Sequence, residues 1–218
     1  MKRLFLCFSI VACFFSCSKT ESEFVAPVSV IAESETNFYA LSVGNSWVYK
    51  NYKYNSNTTT YDNTGVVDSI SIVGTQDISG DMYYKFRRLT TGNENNITFC
   101  NPNGEYFEFL RDENGDLVNE NGIVKFTNNN TNERLLQENQ WGNIYEILID
   151  GESTLSVEAG SFECVNSERY AKSPAGDQFD GLDRYYYANG FGLIYNTSSF
   201  VSSSRPIIIT RLDAYSVQ

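Results

Sequence analysis

The 218-residue chain has no histidine, and that absence excludes more chemistry than any residue present supplies. Without imidazole there is no Ser-His-Asp or Cys-His nucleophile, no histidine general base and no zinc site of the His type. A serine–lysine route needs Ser-x-x-Lys spacing, and the match, Ser16 to Lys19, straddles the expected cleavage point described below. The G-x-S-x-G elbow is missing as well, because Gly151-Glu152-Ser153-Thr154 continues to Leu155. Basic residues are also scarce: 16 Lys and Arg stand against 27 Asp and Glu, for a formal net charge of −11. Such a surface is a poor match for nucleic acid, whose phosphates require neutralisation by Lys and Arg, and it lends no polybasic patch to anionic lipid. No cofactor motif is legible, so none is expected.

What is present begins with Met1-Lys2-Arg3, an apolar run from Leu4 to Phe15 broken only by Ser9, and then Ser16-Cys17-Ser18. A positive start, a short apolar core and a small residue before a cut are the parts of a secretory signal. The run is too short to span a bilayer, which takes about 20 residues. With cysteine at the cut it resembles the lipobox of bacterial lipoproteins, which implies a diacylated cysteine at the mature N-terminus. Two cysteines compete for that role. Cys13, after Ile10-Val11-Ala12, leaves a stunted apolar core and places Phe14-Phe15 just beyond the anchor; Cys17 gives a full-length core with polar sequence immediately after it. The expected organisation is a signal peptide over 1–16, a lipidated N-terminus and tether over 17–37, and one β domain over 38–218. The charged stretch Ser18-Lys19-Thr20-Glu21-Ser22-Glu23 looks like the tether of some surface-exposed lipoproteins, and equally like a solvated linker. Loss of Lys2 and Arg3 takes the charge to −13, so the acyl chains, palmitate among them, are left to hold the membrane. Two chains suffice at about 0.8 kcal/mol per buried methylene.

That reading leaves Cys100 and Cys164 in the domain. In an oxidising envelope they are candidates for a disulfide closing a loop of about 65 residues, worth about 4 kcal/mol on the chain-entropy model; the alternative is two buried apolar thiols. Neither sits in a C-x-x-C or electropositive setting that would make it reactive.

Short β-prone runs separated by Gly, Asn or Asp predict an all-β domain, an antiparallel sandwich or a curled half-barrel sheet. Strands are expected at 47–54, 66–73, 82–89, 96–100, 105–111, 123–127, 144–149, 153–157, 162–170, 184–188, 193–200 and 207–215, with one short helix at 132–139. On the third of these, Met82, Tyr84 and Phe86 face one way and Lys85 and Arg87 the other. Asn103-Gly104, Asn114-Gly115, Asn121-Gly122 and Asn189-Gly190 read as hairpin turns.

Three stretches, Tyr39-Ala40-Leu41-Ser42-Val43-Gly44-Asn45-Ser46-Trp47-Val48-Tyr49, Ala159-Gly160-Ser161-Phe162-Glu163-Cys164 and Tyr186-Tyr187-Ala188-Asn189-Gly190-Phe191-Gly192-Leu193-Ile194, resemble a diffuse group of β-rich bacterial envelope proteins, lipoproteins or exported proteins. Where members of that group often have proline, this chain has Glu158 and Asn189. The resemblance implies a curled antiparallel sheet like the half-barrels of lipoprotein carriers, placed in the envelope at the outer membrane, and it brings no catalytic residues. Trp47, Phe162 and Tyr187 are expected to fill the core, and Tyr185, Tyr186 and Tyr187 must alternate faces.

Two acidic stretches are similar to metal-binding loops in composition alone. Asp112-Glu113-Asn114-Gly115-Asp116 begins like a calcium loop, but Leu117 stands where glycine is required, so it reads as a hairpin turn. Asp177, Asp180 and Asp183 are either a calcium-binding loop or a solvated one. The function expected is a non-catalytic, membrane-anchored binding or assembly module for a glycan, a protein or a hydrophobic ligand held in a β cavity. The alternative is a carboxylate-based glycosidase, which needs no histidine but needs two acids about 5–10 Å apart across a cleft.

Overall fold

Alternating side chains and Asn-Gly or Ser-Gly corners produce one antiparallel sheet of twelve strands in the computed structural model, which describes residues 37–218. The strands are β1 Ser46–Asn55, β2 Thr60–Ile78, β3 Asp81–Thr91, β4 Gly104–Glu113, β5 Asp116–Asn119, β6 Val124–Thr127, β7 Arg134–Gln137, β8 Asn143–Val157, β9 Gly160–Lys172, β10 Gln178–Ala188, β11 Gly192–Ser198 and β12 Ile208–Ser216. Their order in the sheet is β6-β5-β4-β3-β2-β1-β12-β11-β10-β9-β8-β7. The expected signal peptide, the Cys17 anchor and all of the tether but Asn37 lie outside the described residues.

Among the described residues there is no helix, and the one expected at 132–139 is the edge strand β7. Eight residues are too few to offset helix nucleation. Pairing Leu135 with Tyr145 and Arg134 with Glu146 gives the segment a ladder and an ion-pair partner instead. The expected strand at 96–100 is also absent. Asn96 and Phe99 have φ of 49° and 67°, which no strand accommodates. The loop is held by Asn93, whose side chain donates to the Asn101 carbonyl (2.8 Å) and accepts from the Ile97 amide (2.7 Å). The runs 144–149 and 153–157 merge into β8 through a register shift. β5, to which the sequence reading assigns no strand, is the short return from the Asn114-Gly115 turn, where both residues have positive φ (56° and 91°).

Large sheets coil, and this one coils until its β6 edge faces β9 and β10. Phe126 of β6 stacks on Tyr187 of β10 with ring centroids 4.0 Å apart. Arg169 of β9 donates from Nη2 to the Lys125 carbonyl at 2.5 Å. The closure is made by side chains, and β6 and β7 remain the two edges of the sheet, so the result is a curled sheet rather than a barrel. Inside the curl lie Trp47, Ile72, Leu110, Phe126, Phe162, Cys164, Ile194 and Leu212, all buried. The segment 38–41 plugs the interior as well: Phe38, Tyr39, Ala40 and Leu41 are buried, and the Tyr39 hydroxyl donates to the Gly115 carbonyl at 2.5 Å.

The two cysteines are free thiols, so the Cys100–Cys164 disulfide is not formed. Cys164 sits in β9 and Cys100 in the loop after β3, and five strands separate β3 from β9 in the sheet. Burial pushes both thiols up to about 11, which keeps them protonated and poor nucleophiles at neutral pH.

Candidate functional site

Cross-strand partners share a face, and on the concave side they set Trp47 beside Ile70, Ile70 beside Arg88, and Arg88 beside Tyr106 in one row from β1 to β4. The next row sets Ile72, Phe86 and Glu108 side by side. Tyr187 and Leu193 face these rows from β10 and β11, with Leu110, Leu117 and the plug residues Tyr39 and Leu41 closing the ends. The space enclosed is a cleft of about 510 Å³, within the range of about 300–1,000 Å³ typical of small-molecule sites.

The wall is aromatic, and most of its polar tips are already occupied. Trp47 Nε1 donates to the Phe191 carbonyl (2.7 Å), Tyr49 to the Leu193 carbonyl (2.8 Å) and Tyr106 to the Asn103 carbonyl (3.4 Å). Trp47 and Phe86 lie nearly parallel, with centroids 6.2 Å apart. Burial raises the hydroxyl pKa of Tyr39, Tyr49 and Tyr187, so these groups stay neutral. Four charged side chains reach the lining: Arg88, Glu108, Lys125 and Glu120. Lys125 Nζ lies 2.5 Å from Glu108, and Glu120 is exposed.

Beside the cleft, one ladder row carries alternating charge: Arg134, Glu146, Arg169 and Asp183 on β7 to β10. Glu146 is fully buried and takes hydrogen bonds from Arg134, from Arg169 (2.7 Å) and from Ser167 (2.9 Å). Asp183 is the weak member. Its Oδ1 is buried without a partner, and burial pushes its carboxyl up to about 6 although Ser199 and Arg169 pull it down. An acid with a raised native pKa stabilises the fold fully below its ordinary pKa, and that contribution is lost as pH rises through about 6. Asp183→Asn is therefore expected to raise stability at pH 7.5 by about 1–2 kcal/mol, solvent access reducing the full effect, and to change little at pH 4. Urea unfolding at both pH values checks this; equal effects at the two would show that Asp183 does not titrate in that window.

The aspartates considered for calcium do not gather. Asp177 precedes β10, Asp180 and Asp183 lie within it, and among the described residues no three acid, cysteine or histidine side chains converge on one point. Asp112 to Asp116 form the β4–β5 corner, as expected of a hairpin turn. The Tyr185–Tyr187 run does alternate. Tyr185 lies under Arg169, whose guanidinium carbon is 4.0 Å from the ring centroid, and Tyr187 lines the cleft. Tyr186 turns the other way and meets Tyr195. Trp47 and Phe162 are buried as expected, and Tyr187, half-buried, packs against the same core while lining the cleft. Arg88 and Glu146 were missed from sequence although alternation points to both, Arg88 in phase with Phe86 and Glu146 in phase with Leu148.

The architecture is thus that of an all-β protein built on one curled antiparallel sheet with an aromatic cleft on its concave face. Solved structures are similar to it in fold alone. One is the crystal structure of a putative exported protein with YmcC-like fold from Bacteroides fragilis NCTC 9343, at 9% identity and a TM-score of 0.50, covering 83% of this chain and 99% of that one. Another is a putative lipoprotein from Parabacteroides distasonis ATCC 8503, at 14% identity and a TM-score of 0.49, with the same coverage of 83% and 99%. At such identities the likeness is one of fold. No protein-family model matches the chain, and no curated protein matches it.

Proposed function

We propose that the chain is a lipid-anchored, non-catalytic envelope protein that binds a small ligand in its concave cleft. The observation that carries this reading is the cleft itself: an aromatic wall of binding size with no serine, threonine or cysteine in its lining, and with one of its two acids, Glu108, engaged by Lys125. That pairing disfavours the glycosidase reading, which needs two working carboxylates across the cleft. The lipobox-like sequence ending at Cys17 supports the anchor. The fold shared with a protein described as exported agrees with an envelope location.

Native mass spectrometry of the full chain, extracted from the envelope, tests both halves of the proposal. Covalent acyl mass is expected on the mature chain, lost in Cys17→Ala and kept in Cys13→Ala; the reverse would move the anchor to Cys13. A non-covalent adduct is expected on the anchored chain and absent from Leu193→Trp, which fills the cleft. An adduct that survives Leu193→Trp unchanged would place binding elsewhere.

A further inference from the structure

We infer that the ligand of this cleft is an amphipathic anion, an apolar chain ending in a single acidic head that is held by Arg88; the inference rests on the cleft being the binding site. Eight arginines lie among the described residues. Six of them, Arg87, Arg111, Arg134, Arg169, Arg184 and Arg211, pair with carboxylates. The exposed Arg205 bonds to the Tyr54 hydroxyl. Arg88 alone has neither an ion pair nor a side-chain hydrogen bond among the described residues, and its Nε is buried without a partner. In a chain with 27 acids to 16 bases, an unpaired guanidinium is not explained by a shortage of carboxylates. A buried donor left without an acceptor is destabilising, and a bound acceptor would remove that cost.

The surroundings of Arg88 suit an acid. Its row neighbours are Ile70 and Tyr106, and its guanidinium carbon lies 5.0 Å from the Tyr106 ring centroid. The two acids of the lining do not serve it: Glu108 is taken by Lys125, and Glu120 is exposed. Planar guanidinium with fixed donors is the side chain suited to carboxylate and phosphate oxygens.

The remainder of the wall sets the rest of the ligand. Tyr39, Trp47, Tyr49 and Tyr106 donate their polar hydrogens to backbone carbonyls and turn apolar faces inward. The Tyr187 hydroxyl also has no hydrogen bond among the described residues. A sugar or nucleotide would bury many hydroxyls against this surface without partners, at a cost for each. An apolar chain brings no hydroxyls of its own to leave unsatisfied, and its acidic head meets the one free cation of the cleft among the described residues.

The test uses the full chain in lipid nanodiscs with Trp141→Phe, which leaves Trp47, in the cleft wall, as the sole tryptophan. Decanoate, decyl phosphate and decanol are titrated against its fluorescence. Both acids are expected to bind at least tenfold more tightly than the alcohol, the advantage of a charge-assisted hydrogen bond. The ratio of the two acids then shows whether a carboxylate or a phosphate head is read. Arg88→Gln is expected to lower acid binding to the level of decanol and to leave decanol unchanged, and Leu193→Tyr, which crowds the cleft without adding a second tryptophan, to abolish all three. Decanol binding as tight as decanoate, or acid binding indifferent to Arg88→Gln, would overturn the inference while leaving the cleft a binding site. Failure of all three probes would also overturn it, whereas the cleft as a site is judged separately by the adduct lost in Leu193→Trp.

Discussion

Glu146→Ala is expected to destabilise the domain by about 3–5 kcal/mol, the cost of breaking a buried ion pair by removing one partner. The carboxylate has no solvent exposure and serves two guanidinium groups at once: Arg169 donates to Oε1 and Arg134 to Oε2, while Ser167 donates to Oε1 as well. Alanine would leave two cations facing each other across β7 to β9, with Asp183 as the next acid in the row. The magnitude follows from unpaired charge rather than from lost attraction, and that distinction is testable. Replacing Arg134, Glu146 and Arg169 together with Met, Leu and Met removes the charges in step, and exchanges of that kind are often neutral or stabilising. Here recovery is expected to be incomplete, because Arg169 also bonds the Lys125 carbonyl and lies over Tyr185. Urea unfolding of the single and triple variants measures both effects. A loss below about 1 kcal/mol for Glu146→Ala would mean that water reaches the arginines and that the row is a surface feature.

This row shows how far sequence reading reaches in the molecule. Local signals were legible where one strand and its turn decide the outcome. The alternation in β3 placed Tyr84 and Phe86 together, and Asn114-Gly115 marked a corner because both residues tolerate positive φ. Signals failed where a side chain replaced the ladder. Asn93 organises the 92–103 loop through its own amide, so the β-prone run 96–100 never pairs. The helix expected at 132–139 failed for the opposite reason, because a partner strand distant from any local pattern was waiting in β8. The cleft lay beyond reach for a third reason. Its walls come from β1 to β6 on one side and β10 and β11 on the other, and the hydrogen bond from Trp47 to Phe191 spans 144 positions. Nothing in either segment announces the other, although an arginine in phase with Phe86 and a glutamate in phase with Leu148 were visible as polar residues on inward faces.

Phe126→Ala is expected to cost about 3–5 kcal/mol, the range for truncating a buried phenylalanine, and it tests the closure of the curl. Phe126 is fully buried although its strand has four residues and lies at the edge of the sheet. Its ring stacks on Tyr187 at 4.0 Å and meets Tyr39 edge-on at 6.3 Å. One side chain therefore joins the β6 edge, the β10 wall of the cleft and the plug. A short edge strand can answer truncation in two ways, by keeping the cavity or by detaching locally, and the two leave different traces. A kept cavity lowers the urea midpoint with an unchanged slope. Local detachment lowers the slope, since less surface remains to be exposed, and speeds amide exchange across β5 and β6 ahead of the rest of the sheet. The kept cavity is the expected result, because β5 stays paired with β4 over four register positions and the Tyr39 hydroxyl still holds the Gly115 carbonyl. A loss of less than about 1 kcal/mol with unchanged exchange would show that the sheet holds its curl without this contact, and that the cleft owes its shape to the coiling of the strands alone.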